Sequence, residues 1–254
     1  MAFTEQPGPV DRSLQAGLQG SLFGAGAVSC GPVTASFDPL DPFSGTLFEP
    51  SWVAGSDTVF ETLRDEMPWR AMQRPMYDRV VSVPRLICSV TPSQFERTHP
   101  LAVITVALEK ALNVSFSSIG LNFYRTGSDS VAWHRDSIAG TRSPLTVALV
   151  AVGSPRTLAM RRFQPSAHRN CSKPAETTRS PGVTPASAPR RWRLGHGDLL
   201  VMGGHCQSSW EHSVPKERGA GPRISLAFRS EDPPKGPRLA PTGVPPLLAS
   251  HKLR

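Results

Sequence analysis

Residues 145–152 read LTVALVAV and residues 198–202 read DLLVM, two almost unbroken apolar runs in the second half of the chain. Runs this short and this rich in branched side chains fit buried strands, which commits the chain to a layered β fold. Two further segments, IGLNFYR (119–125) and RISLAFR (223–229), alternate in polarity and read as strands with two unlike faces. Upstream the period changes. Thr58 and Glu61 have the spacing of a capping box, Val59, Phe60, Leu63 and Met67 supply a helical face, and Pro68 ends it. A second helix is expected from Leu101 to Leu112, with Leu101, Ile104, Leu108 and Leu112 on one face. Two helices followed by many short strands predict an all-β barrel or sandwich with helices packed outside.

At 254 residues the chain can bury a full core and is expected to form one domain, at most two. Its 26 prolines and 21 glycines are concentrated outside the strand-like segments. Residues 1–35 read as a flexible arm and residues 36–230 as the folded domain. Residues 163–191, with little apolar content, read as a disordered insertion between two strands, and residues 231–254 as a proline-rich tail. A net charge of +8 favours a polyanionic partner such as nucleic acid. The four cysteines lie far apart, which argues against a structural zinc site or a disulfide scaffold and suits a reducing compartment. No apolar run is long enough to span a membrane, and the first residues lack the pattern of a secretory signal. A soluble, cytoplasmic monomer is expected.

The segment DSVAWHRDSI (129–138) places His134 and Asp136 two positions apart, so both point to one side of an extended chain. An imidazole nitrogen and a carboxylate oxygen on one face make half of a metal site. The other half calls for a second histidine. His99 and His168 fall in loops, His251 in the tail, His196 and His205 flank DLLVM, and His212 lies in SSWEHSVP. Two histidines and one carboxylate leave three positions open, the arrangement of non-haem iron(II) oxygenases. Taken alone, the pair reads more readily as a solvent-exposed or hydrogen-bonded couple than as metal ligands, and position does not choose among the histidines. RISLAFR adds a constraint. By parity Arg223, Ser225, Ala227 and Arg229 share one face, a wall suited to an anionic ligand because Arg binds a carboxylate through two parallel hydrogen bonds and the small residues leave room. The alternative is an outward face with two solvated arginines. Asn122 and Tyr124 likewise share a face and could reach the same ligand.

LNFYRTGSDSVAWHRD, LGHGDLLVMGG, WEHSVPK and GPRISLAFR, in that order, resemble the AlkB-type alkylation-repair dioxygenases over about residues 48–230. The resemblance implies a mainly β fold, a double-stranded β-helix (jelly roll) with two or more supporting helices. It implies that His134, Asp136 and His212 hold iron at the catalytic centre. It also implies that Arg223 pairs with the distal carboxylate of 2-oxoglutarate, helped by Asn122, Tyr124 and Arg229. Fe(2+), 2-oxoglutarate and O2 are the cofactors implied, and the substrate implied is an N-alkylated nucleobase in DNA, with RNA as an alternative, demethylated with release of formaldehyde. A base treated this way must leave its stack, which asks for an aromatic platform and phosphate contacts. Trp69, Tyr77 and Arg85, with Arg70, Arg74 and Arg79, lie in WRAMQRPMYDRVVSVPRL, which matches the family's nucleotide-recognition lid; core packing is the other reading of Trp69, and Trp133 reads as core.

Two departures bear on the substrate. Ser137 and Ile138 follow Asp136, where many members carry an acidic residue that meets the base, and Leu86-Ile87-Cys88-Ser89 follows VPR instead of an aromatic-glycine segment. A protein or small-molecule substrate, or a non-catalytic nucleic-acid module on the same fold, are the alternatives. In the arm, QGSLF (Gln19 to Phe23) resembles the clamp-binding peptides of bacterial replication proteins and marks the sliding clamp as a candidate partner.

Overall fold

The computed structural model describes residues 26–76, 79–135, 145–164 and 189–230. The expected clamp peptide, the tail, and residues 165–188 of the expected insertion lie outside them. Strand periodicity organises what is described. Eight strands make the barrel: β7 (Ser118–Tyr124), β8 (Val131–His134), β9 (Val147–Gly153), β10 (Arg156–Arg162), β11 (Arg190–Leu194), β12 (Asp198–Gly204), β13 (Trp210–Val214) and β14 (Arg223–Arg229). They divide into a minor sheet ordered β11-β10-β13-β8 and the centre of a major sheet ordered β12-β9-β14-β7, all antiparallel. This is the jelly-roll arrangement. The major sheet is extended on one side by β3 (Ser44–Glu49) and β2 (Asp38–Asp41), and on the other by the long hairpin of β5 (Arg70–Met76) and β6 (Arg79–Val90).

The apolar runs have their cause in two separate cores. Val150 and Val152 of β9, Leu199 and Val201 of β12, and Ile224, Leu226 and Phe228 of β14 point outward into one cluster. There they meet the apolar faces of α1 (Ser56–Glu66) and α2 (Pro100–Leu112). The alternate residues Leu149, Ala151, Leu200, Met202 and Ala227 point inward to a second cluster shared with Leu158 and Met160 of β10 and Val214 of β13. A strand with both faces buried cannot alternate in polarity, so β9 reads as a continuous run. The outer cluster carries the stability: Leu63, Leu101, Ile104 and Leu108 are fully buried, and cutting one to alanine costs about 2–5 kcal/mol.

The helices differ from expectation at their starts. α1 begins at Ser56, before Thr58, and its cap is Gly55 in the left-handed region (φ 71°) with no side-chain cap. A Cβ there would press on the carbonyls of Gly26 and Ala27, so the close approach of chain 26–28 needs glycine. The expected capping box is therefore absent. α2 is capped by His99, whose Nδ1 accepts from the Leu101 N–H at 3.1 Å, with Pro100 at the first helical position.

Residues 26–35, expected in the arm, belong to the domain. β1 (Ser29–Cys30) pairs with β4 (Val53–Ala54), and Val28, Cys30, Val33 and Ala35 pack on the outer core. At the other expected boundary β11 starts at Arg190, two residues inside the expected insertion. Among the described residues no helix is long and apolar enough to cross a membrane.

Candidate metal and cosubstrate centre

The barrel interior opens in a cavity of about 540 Å³. Its wall combines apolar side chains (Leu149, Leu158, Met202) with a polar set: His134, His212, Asn122, Tyr124 and Arg229. β8 and β13 bring the two histidines together. They are register partners in the minor sheet, and their ring centroids lie 4.2 Å apart. The Ala132 carbonyl sits 2.9 Å from His134 Nδ1. A carbonyl can only accept, so Nδ1 carries the proton and Nε2 keeps the lone pair that a metal requires. His212 is buried and His134 half-buried. Asp136, the carboxylate of the expected triad, lies outside the described residues. Among those described, no cluster of three metal-ligating side chains occurs, and the imidazole pair is what the barrel itself supplies.

The opposite wall is built by β14 against β7. Their register sets Arg223 beside Tyr124, Ser225 beside Asn122, Ala227 beside Gly120 and Arg229 beside Ser118. All four β14 positions turn inward, so the reading of solvated arginines is excluded. Arg223 is 1 % exposed, and one Nη donates to the Leu194 carbonyl at 2.9 Å. Its Nε meets no acceptor among the described residues. Burial lowers its pKa to about 10, and burial likewise raises that of the Tyr124 phenol. A buried guanidinium with an unsatisfied N–H is an incomplete structure that a carboxylate completes. The donor set thus fits a keto-diacid anchored at Arg223 and a divalent metal at the imidazoles.

The side chains that support the cavity wall from behind could not be read from the sequence. Arg85 of β6 donates from Nε to Asn122 Oδ1 at 2.6 Å, which turns the amide so that its NH2 serves as the donor end. Arg85 also lines the cavity, on the wall that carries Asn122. The Arg229 guanidinium occupies the space where a Gly120 Cβ would stand, so Gly120 is the gap that admits it. Arg156, fully buried at the start of β10, donates to the carbonyls of Asp129 (2.9 Å) and Pro215 (2.8 Å). It ties the β7–β8 and β13–β14 connections together. A lone arginine after a Ser-Pro pair carries no sequence signal for that role.

Trp69 requires a correction. Its ring packs on Phe123 at 5.3 Å between centroids, and its indole N–H is spent on the Leu63 and Arg64 carbonyls. It joins the hairpin to α1 and is not a stacking platform. Trp133 is also corrected: it is half-buried on the outer face of the minor sheet, with the Arg161 guanidinium 4.3 Å from its ring centre. Tyr77 and the side chains of Arg74 and Arg79 lie outside the described residues. Of the other histidines, His99 caps α2. His196 accepts from the Gly153 N–H at 2.7 Å and faces Asp57 at 3.1 Å, so both are structural.

Comparison with known proteins agrees with this geometry. The profile of the 2OG-Fe(II) oxygenase superfamily matches residues 50–229. Mouse alpha-ketoglutarate-dependent dioxygenase alkB homolog 3 is 31 % identical over 198 residues, 73 % of this chain and 64 % of that protein. The DNA oxidative demethylase ALKBH2 of Arabidopsis thaliana is 31 % identical over 212 residues, 72 % of this chain and 62 % of that protein. The chain thus spans a little under two thirds of the length of these relatives. Among solved structures, that of OsALKBH1 shares the fold, with a TM-score of 0.51 at 14 % identity, covering 77 % of this chain and all of that one. The chain belongs to the 2OG-Fe(II) oxygenase superfamily and is of AlkB type.

Proposed function

We propose that the chain is an iron(II)- and 2-oxoglutarate-dependent dioxygenase that demethylates N-alkylated bases in nucleic acid, DNA foremost. The observation that carries this reading is the imidazole pair on one cavity with Asn122, Tyr124 and Arg229, together with a buried arginine, Arg223, with an unsatisfied N–H beside Tyr124. His134 and His212, with Asp136 as the third ligand, would hold the metal. Arg223 anchors the distal carboxylate of the cosubstrate, the Tyr124 phenol and Asn122 amide orient it, and Arg229 adds a second positive charge on the same wall. When bound, ferrous iron would bring together O2, the oxidant, and 2-oxoglutarate, which gives up two electrons as it becomes succinate and CO2; the second oxygen atom hydroxylates an N-methyl carbon, which then leaves as formaldehyde. The apolar residues Leu149, Leu158 and Met202 exclude water around the reacting groups. Relatives named as DNA oxidative demethylases and the net charge of +8 support a nucleic-acid substrate.

The test is formaldehyde and succinate release from N-methylated single-stranded oligonucleotides. Both should appear only with iron(II) and 2-oxoglutarate, and His134→Ala should abolish them. Succinate release without formaldehyde from any methylated oligonucleotide, but with hydroxylated peptide or small molecule, would replace the nucleic-acid substrate while keeping the enzyme class.

A further inference from the structure

Arg135, between the two expected metal ligands of the H-x-D pair, has an environment that the centre described above does not use. It is exposed and lines the cavity. Its guanidinium carbon lies 3.6 Å from the centre of the Phe163 ring, and Nη1 donates to the Ser208 carbonyl at 3.0 Å. Phe163 is itself pinned, because its backbone N–H donates to the Ser209 carbonyl at 2.9 Å. The end of β10 and the short helix α3 (Cys206–Ser209) therefore form one shelf on which the guanidinium lies flat.

Charge separates this arginine from most of its neighbours, and its fixed orientation on Phe163 separates it from Arg191 of β11, which also has no carboxylate partner among the described residues. On the same minor sheet Arg161 pairs with Glu211, Arg162 with Asp41, Arg190 with Asp38 and Arg193 with Glu217. Among the described residues Arg135 has no carboxylate partner. A cation held in one orientation, without local compensation and at the edge of the cavity, has already lost the side-chain entropy that anion binding would otherwise cost. The planar fork suits a tetrahedral oxyanion better than a lysine would.

We infer that Arg135, braced by Phe163, binds a backbone phosphate of the nucleic-acid strand whose base enters the cavity. The inference rests on the nucleic-acid reading above and adds the residue that holds the strand at the site. The contact is to the backbone, so it contributes affinity without sequence preference.

The test uses the full chain and a methylated single-stranded oligonucleotide, with affinity measured by fluorescence anisotropy across a salt series. Arg135→Gln should weaken binding roughly tenfold, the size of one charge-assisted hydrogen bond, and flatten the salt dependence by about 0.7 in slope. Its KM for 2-oxoglutarate should stay at the wild-type value, a reading that general damage to the barrel would move. Arg135→Lys should recover the slope and part of the affinity. Phe163→Leu, which keeps the charge and removes the shelf, should lose less affinity at an unchanged slope. Arg135→Gln with wild-type affinity and slope would overturn the inference while the nucleic-acid reading stood. A wild-type chain with no salt-dependent binding would overturn both.

Discussion

On β14, Ile224, Leu226 and Phe228 face the helices while Ser225, Ala227 and Arg229 line the cavity and Arg223 is buried on the same face beside Tyr124, so one strand supplies both an oily layer and a polar wall. The outer layer is uniformly apolar and fully buried. The inner layer tolerates two arginines and a buried phenol among small residues. Each Arg223 charge brought inside raises the cost of folding unless it is paired, whereas each Leu226 lowers it. The difference teaches that stability and chemistry are separated here by the strand period of two, and that a substitution one residue along changes which of them is lost.

Four substitutions can break that separation or sharpen it. His134→Ala, on the inner side, should abolish coupled turnover while the melting temperature moves by a few degrees at most; turnover in the variant would remove the histidine pair from the mechanism. Leu226→Ala, on the outer side, should cost about 2–5 kcal/mol in urea unfolding while the KM for 2-oxoglutarate of the folded fraction is unchanged. A raised KM would show that the two faces are coupled. Arg223→Lys should raise that KM about ten- to a hundredfold, since an ammonium cannot present the two parallel N–H groups that a carboxylate takes from a guanidinium. Gly120→Ala should raise the same KM several-fold by displacing the Arg229 guanidinium, with the smallest effect of the four; an unchanged KM would mean that Arg229 binds nothing in the cavity.

Much of this division could be read from sequence. RISLAFR is a strand from Arg223 to Arg229 with the expected parity, and LTVALVAV and DLLVM are the buried strands β9 and β12. His134 sits in the extended segment expected for it, and register brings His212, the histidine that the family resemblance selected, to its side. What escaped had physical reasons. β10 and β11 begin or end in clusters of arginine whose charge is neutralised by partners far along the chain, Asp41, Asp38 and Glu217. No local pattern announces such pairing. Gly55 caps α1 through a backbone approach from residues 26–28, and Trp69 is consumed by carbonyls of the helix it follows, so both depend on tertiary contacts. Arg156 is a buried clamp whose three acceptor carbonyls lie on two loops distant in sequence.

The central claim, that a metal sits between strands β8 and β13, is tested most directly by titrating the metal-free chain with Mn²⁺ and following the free ion by electron paramagnetic resonance. The wild type should take up a single equivalent, and His134→Ala and His212→Ala should each weaken that binding by more than about a hundredfold, beyond the range for losing a group that only hydrogen-bonds a ligating side chain. Uptake of one equivalent with unchanged affinity in both variants would contradict the account.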